Sequence, residues 1–233
     1  MIKRQIVAMG GGGFLMSGDF DRMDAYVLSL ARKRRPRVCF VPTAGGDKTD
    51  NIAKFHEAFT GARAEASHLR LFGVPRTDIR DFVLSQDVIY VGGGNTANML
   101  AVWRVHGVDR LLREAWRRGI VLTGVSAGML CWYEGGVTDS FGRPLSAIHD
   151  GLGLLKGSAC PHYDGETDRR PIYHALLRKS LPGGVAADDW AAIHYIGRKV
   201  HACVAAKAGA KCYRVRVRGR DIHEVELATR LLT

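Results

Sequence analysis

The stretch from Ile120 to Trp132 reads IVLTGVSAGMLCW and indicates how the chain folds. It opens on a run of β-formers and closes on an apolar, helix-forming segment. Between them, GVSAG at 124–128 is the Gly-x-Ser-x-Gly step of a strand that turns sharply into a helix. Glycine tolerates the backbone angles of such a turn and leaves room where strand and helix pass closely. The stretch therefore predicts a nucleophile elbow, with Ser126 exposed at the carboxyl end of a strand.

Apolar runs alternate with amphipathic segments on both sides of this elbow. The predicted strands are 6–9, 37–41, 67–72 and 87–91, and the predicted helices are 21–32, 50–59, 77–84, 97–103 and 108–116. Since most of these strands are apolar along their whole length, we predict an α/β fold whose parallel sheet is covered by helices on both faces. The loops 10–13, 43–46, 92–96 and 124–128 should converge, because ligands bind beyond the carboxyl ends of such strands.

The second half of the chain carries weaker patterns. Residues after Glu134 are rich in glycine, proline and small polar residues, which predicts loops. A helix at 171–179, a hairpin over 191–205 and a last strand at 211–217 follow. Without a repeat, a linker or a low-complexity tract, residues 1–233 are predicted to form a single domain.

The composition limits the classes of function. The 46% hydrophobic and 24% charged fractions are those of a globular protein, and no apolar run reaches the ~20 residues of a membrane span. The net charge of +11 is spread over dispersed arginines and lysines without interleaved aromatic residues, which predicts a solvated basic surface and no nucleic-acid partner. The five cysteines form no CxxC pair, so we expect free thiols, no metal site and a cytoplasmic location.

Ser126 needs a base and an acid to act as a nucleophile. His162 is the best base, because it lies in a polar loop downstream of the elbow. A third group must hold the imidazole in one tautomer, and Asp139 and Glu134 are both available between serine and histidine. Taken singly, Ser126 would be interpreted as a helix cap and His162 as a surface histidine. The combination with a strand-borne elbow and a downstream acid favours catalysis.

Backbone donors for an oxyanion come from two glycine-rich turns. Gly92-Gly93-Gly94 ends a predicted strand, and Ala127 follows the candidate nucleophile, so their N–H groups are candidates for an oxyanion hole. The run Gly10–Gly13 departs from a dinucleotide fingerprint at Leu15 and lacks a Walker lysine, so no nucleotide cofactor is expected. The remaining histidines form no metal-binding spacing.

Several motifs together resemble the peptidase E (aspartyl dipeptidase) and cyanophycinase family of serine peptidases. They are VGGGNT at 91–96, GVSAG at 124–128, TDS at 138–140 and CPHY at 160–163, with similarity also at AMGGG 8–12 and ADD 187–189. The resemblance implies a flavodoxin-like three-layer sandwich similar to class I glutamine amidotransferases, and often a homodimer. It also implies that Ser126 is the nucleophile, that His162 is the base, and that Gly94 and Ala127 donate to the oxyanion.

The resulting prediction is a serine exopeptidase or dipeptidase for short peptides, including those that begin with aspartate. Asn95 and Thr96 would touch the substrate, and Arg169 or Arg170 would pair an acidic side chain. Asp139 is the preferred acid by its spacing, with Glu134 as the alternative. No metal and no organic cofactor are needed.

Two other functions are compatible with the sequence. An α/β-hydrolase esterase shares the elbow but would place its catalytic histidine near the carboxyl terminus, at His201 or His223. A non-catalytic basic binding protein on an amidotransferase-like fold would leave Ser126 unreactive and would bind polyanions in a salt-sensitive way.

Overall fold

The computed structural model describes residues 3–61 and 63–233 and contains two sheets, whose strands are numbered together along the chain. The central sheet has eight strands: β1 Gln5–Met9, β2 Arg37–Val41, β3 Glu65–His68, β4 Val88–Val91, β5 Val121–Val125, β10 Ala191–Ile196, β11 Lys199–Ala205 and β14 Thr229–Leu231. Their order is β14-β11-β10-β1-β5-β4-β2-β3. Strands β1 to β5 are parallel, and β10 lies antiparallel to both β1 and β11. The predicted, mostly parallel sheet is confirmed.

Helices cover both faces of this sheet. They are α1 Phe14–Ser17, α2 Arg22–Leu30, α3 Thr49–Ala58, α4 Ile79–Leu84, α5 Thr96–His106, α6 Val108–Arg117 and α7 Ala127–Leu130, whereas α8 Arg169–Lys179 packs on the second sheet. Side chains alternate between faces along a strand, so Ile6 and Ala8 join one apolar cluster with Trp103 of α5, while Val7 joins a second cluster with Phe55 of α3. These three layers confirm the predicted α/β sandwich.

The second sheet has six strands, four of them with only three or four residues. They are β6 Gly135–Thr138, β7 Ser146–Ile148, β8 Ser158–Cys160, β9 Gly184–Ala187, β12 Cys212–Arg218 and β13 Asp221–Leu227. Their order is β13-β12-β9-β8-β6-β7, and α8 packs on them around a third apolar cluster that includes Tyr163, Tyr173 and Leu177. Strands β8 and β9 are parallel, so their carboxyl ends share one edge.

Three sequence predictions are corrected here. The expected loops after Glu134 contain β6 to β8, because strands of three or four residues are too short to show a periodicity. The strand at 211–217 is not the last, since the edge strand β13 carries charged side chains and lacks an apolar stripe. The strand expected at 67–72 is Glu65–His68, where pairing with β2 sets the register. Within the described chain, no helix combines the length and the apolar character needed to cross a membrane.

Candidate active site

Ser126 occupies the turn between β5 and α7, with a φ of 58°. Positive φ is uncommon for a residue with a side chain and is the strained geometry of a nucleophile elbow. Gly124 and Gly128, which flank Ser126, lie too close to neighbouring backbone for a larger residue to fit. A Cβ on Gly124 would lie 2.5 Å from the carbonyl oxygen of Gly128, and a Cβ on Gly128 would lie 2.4 Å from that of Val91. The predicted elbow is present.

The loop after β4 lies directly against Ser126. A Cβ on Gly93 would be 3.3 Å from Cβ and 3.8 Å from Oγ of Ser126, so a side chain there would crowd the hydroxyl. Gly94 packs against the loop after β2, where a Cβ would be 2.2 Å from the oxygen of Ala44. Asn95 N donates to the same oxygen at 2.8 Å. These glycine-rich loops meet at one edge of the sheet, as expected.

The side chains predicted to bind substrate have local partners. Asn95 caps α5, because its Oδ1 accepts from Asn98 N at 2.8 Å, and its Nδ2 donates to the carbonyl oxygen of Ser140 at 3.0 Å. Thr96 is buried. Asn95 therefore links the loop after β4 to the segment that follows β6, and its contact with a substrate stays a prediction.

His162 follows β8 and approaches the same strand end as Ser126. Ser126 N donates to the carbonyl oxygen of Met9 at 3.1 Å, and His162 N donates to that of Gly10 at 3.3 Å. The two residues are thus attached to consecutive carbonyls at the end of β1. Within the described residues no hydrogen bond joins Ser126 Oγ to the imidazole. Such bonds are often long in a free enzyme and tighten when substrate binds.

Asp189, and neither Asp139 nor Glu134 as expected from the sequence, is the acidic residue hydrogen-bonded to His162. Its Oδ1 lies 2.6 Å from Nδ1 of His162. Glu134 instead accepts from Gly157 N at 2.8 Å and from Lys156 Nζ at 3.0 Å, contacts that lower the pKa of its carboxyl. Asp139 is not hydrogen-bonded to His162 in the described chain. Asp189 follows β9, and β9 lies beside β8, so the pair meets at the shared strand edge.

Two glycines enclose the carboxylate of Asp189. A Cβ on Gly11 would be 2.0 Å from Oδ1, and a Cβ on Gly165 would be 2.0 Å from Oδ2. Asp189 N also donates to Asp164 Oδ1 at 2.9 Å. The carboxylate therefore has one available position. By accepting from Nδ1 of His162, it leaves Nε2 free to act as a base.

Asp188, the residue before Asp189, is buried and carries an elevated pKa. Its Oδ2 accepts from Lys211 N at 3.0 Å and from the Tyr213 hydroxyl at 3.3 Å. Burial, together with the nearby charge of Asp164, raises the pKa of Asp188 to about 6. Two adjacent aspartates therefore have different environments, and the one that contacts His162 is the one closer to solvent.

Both arginines proposed to pair an acidic substrate already have carboxylate partners. Arg169 is buried, with Nε 3.0 Å from Glu166 Oε2 and Nη1 3.3 Å from the oxygen of Val137. Arg170 lies 3.5 Å from Glu224 and stacks over Tyr163. Both are structural cations of the second sheet.

The esterase alternative required a catalytic histidine near the carboxyl terminus. His201 lies in β11, and His223 lies in the edge strand β13, whereas the histidine that contacts an aspartate at the elbow edge is His162. Among the described residues no group of three or more His, Cys, Asp or Glu side chains is arranged to hold a metal ion. The site thus contains a serine, a histidine–aspartate pair and backbone donors.

Comparison with known proteins assigns the chain to one family. The sequence model of Peptidase family S51 matches residues 6–203. The chain is 50% identical over 230 residues to the uncharacterized peptidase YgaJ of Bacillus subtilis (strain 168), covering 98% of this chain and 99% of that one.

Solved structures share the fold. A peptidase from an acI-B1 Actinobacterium superposes with a TM-score of 0.68 at 16% identity, over 97% of both chains. A proposed peptidase E protein from Listeria monocytogenes EGD-e superposes with a TM-score of 0.56 at 18% identity, over 97% of this chain and all of the other.

Proposed function

The chain belongs to peptidase family S51 and is a serine-type peptidase, and we propose that it is an exopeptidase of the dipeptidase type that acts on short peptides. The observation that carries this proposal is the Asp189–His162 pair, which lies beside the strained elbow at Ser126. A serine, an imidazole and an aspartate on adjoining strand ends supply the three roles that acyl transfer requires.

In the proposed reaction, Ser126 Oγ attacks the scissile carbonyl while Nε2 of His162 takes its proton. Asp189 accepts from Nδ1 and stabilises the imidazolium that forms. The N–H groups of Ala127 and Gly94 would hold the oxyanion, and each such donor contributes roughly 3–4 kcal/mol to the transition state. His162 then returns its proton to the leaving amine, and water hydrolyses the acyl-enzyme.

The loop between β6 and β7 is a candidate wall of the peptide site. At one end Ser140 accepts from Asn95, and its hydroxyl accepts from Ala97 N at 3.2 Å. At the other end Arg143 pairs with Asp168 at 3.1 Å and with Glu166 at 3.4 Å. Since Glu166 N donates to the oxygen of His162, this loop connects the oxyanion side with the histidine side. A loop in this position would limit the length of the peptide that binds.

A dipeptide library, assayed with the wild type, Ser126→Ala and His162→Ala, tests the proposal. We expect the wild type to release amino acids, and we expect Ser126→Ala to lower kcat about a million-fold. A fluorophosphonate should label Ser126 in the wild type alone. Preference for a first-position aspartate is read from the same library.

Two results would contradict the proposal. Activity on an activated ester that persists in His162→Ala would favour the esterase alternative. An unlabelled Ser126 in a folded protein that binds polyanions would favour the non-catalytic alternative.

A further inference from the structure

A basic pocket lies at the sheet edge opposite to the candidate active site. Its cavity of about 340 Å³ lies between the hairpin β10–β11 and strands β9 and β12. Four cationic side chains line it, namely Lys156, Arg198, Arg214 and Arg216, and no acidic side chain does. We propose that this basic pocket binds a small anion that carries two or more phosphate groups.

The positive charge of the basic pocket is largely uncompensated. Lys156 pairs with Glu134 at 3.0 Å, and Arg198 Nε donates to the carbonyl oxygen of Leu154 at 2.9 Å. For Arg214 and Arg216, no carboxylate lies within 4 Å among residues 3–61 and 63–233. Two guanidinium groups thus retain all their donors, in a molecule where many other surface arginines have carboxylate partners.

The backbone places these two arginines on one face of β12. Residues two apart on a strand point to the same side and are separated by roughly 7 Å. Val215 between them is buried and pairs with Gly184, so its side chain faces the core. A Cβ on Gly183 would be 3.0 Å from Cβ of Arg216, and glycine there keeps space beside the arginine. The two guanidinium groups can therefore reach adjacent anionic groups of one ligand.

The chemistry of the lining favours phosphate. A guanidinium matches two phosphate oxygens with parallel N–H donors, and several cations together suit a ligand with several negative charges. The apolar part of the lining contains Val185, Val200 and the ring of Tyr195, which lower the local dielectric and strengthen the attraction. The cavity lies within the usual range for small-molecule sites and accommodates a diphosphate with a small organic group.

The basic pocket is separate from the catalytic residues. Strand β9 begins at Gly184 beside it and leads to Asp189, five residues further on, which is about 16 Å along an extended chain. Strand β8 runs in the same direction from Ser158 towards His162. The pocket is therefore too distant to hold the scissile bond, and its ligand is distinct from the peptide substrate.

Titration calorimetry of the full chain with inorganic pyrophosphate and with ADP, at about 0.15 M salt, tests the proposal. We expect saturable binding at one site, weakened about tenfold or more in the double variant Arg214→Gln/Arg216→Gln. Lys156→Met, which changes an exposed side chain, should also weaken binding. Peptidase activity should stay within about twofold of the wild type in these variants, because no changed residue contacts the catalytic site.

A matched double variant, Arg34→Gln/Arg35→Gln, removes the same charge from an exposed loop elsewhere and should leave binding unchanged. Equal weakening in both double variants would mean that only the net charge attracts the anion, and would overturn the proposal. Absence of saturable binding would overturn it too. Citrate that binds as tightly as pyrophosphate would overturn the assignment of phosphate.

Discussion

The two sheets contribute different halves of the candidate active site. The central sheet supplies Ser126 and the loop around Gly93 from strands buried on both faces. The second sheet supplies His162 and Asp189 from the ends of two short strands. Both halves are hydrogen-bonded to the backbone at the end of β1. On the central-sheet side, Ser126 N donates to the carbonyl oxygen of Met9. On the second-sheet side, His162 N donates to that of Gly10, and Trp190 N donates to that of Gly11. The reactive geometry therefore depends on how firmly the second sheet is held against the first.

Within the second-sheet half, the largest expected effect comes from its acidic residue, Asp189. Replacing Asp189 by Asn puts an amide donor against Nδ1 of His162 and favours the wrong imidazole tautomer. We expect kcat to fall about ten-thousand-fold with little change in KM, as measured on the best dipeptide of the library. Asp139→Asn and Glu134→Gln should stay within about threefold of the wild type. A collapse of activity in Asp139→Asn with Asp189→Asn active would restore the sequence-based assignment.

A smaller effect is expected from the glycines that position this acid. In Gly165→Ala, the added methyl would lie 2.0 Å from Asp189 Oδ2 and would displace the carboxylate. A displacement of about 1 Å should lower kcat by about ten- to a hundred-fold, and φ at this residue needs no glycine. In the Asp189→Ala variant the added methyl meets no carboxylate, so Gly165→Ala should not lower kcat any further there. An equal loss in both backgrounds would assign the effect to folding.

The sequence predicted the central-sheet half of the site better than the second-sheet half, for a physical reason. Strands buried on both faces appear in the sequence as apolar runs, and a nucleophile elbow has a fixed glycine spacing. The sequence therefore predicts the elbow at Ser126 and the glycine-rich loop at 92–94. His162 was found by its polar loop and by the family resemblance. Asp189 is not predicted, since it lies outside the interval between Ser126 and His162 where the order serine, acid, histidine places the acid.

One signal could have revealed Asp189. The sequence Ala187-Asp188-Asp189 follows a short apolar run, and the ends of neighbouring parallel strands meet at one edge. However, β8 has only three residues, and its pairing with β9 cannot be deduced from so short a pattern. Long-range pairing, rather than local propensity, brings the acid to the histidine.

Phe141 allows a test of the loop that connects the two halves. It is 67% exposed, an unusual position for a phenylalanine, and lies between the contacts of Ser140 and Arg143. If the loop forms a wall of the peptide site, Phe141→Ala should raise KM about threefold to tenfold at unchanged kcat. Steady-state kinetics on dipeptides with large and small side chains measures this. If Phe141→Ala and the wild type have the same KM for every substrate, the loop lies outside the site.

The smallest expected effect concerns the stability of the second-sheet half. Because the pKa of Asp188 is raised in the folded protein to about 6, its stabilising contribution is fully present below about pH 4 and is lost as the pH rises through 6. The surroundings of Asp188 account for this direction, since burial and the charge of Asp164 raise its pKa more than the Lys211 N–H, the Tyr213 hydroxyl and the charge of Arg170 lower it. Asp188→Asn removes the titration while an amide oxygen still accepts from Lys211 N. In urea unfolding, the stability of Asp188→Asn relative to the wild type should therefore increase by up to about 3 kcal/mol between pH 4 and pH 8, and parallel curves would contradict this.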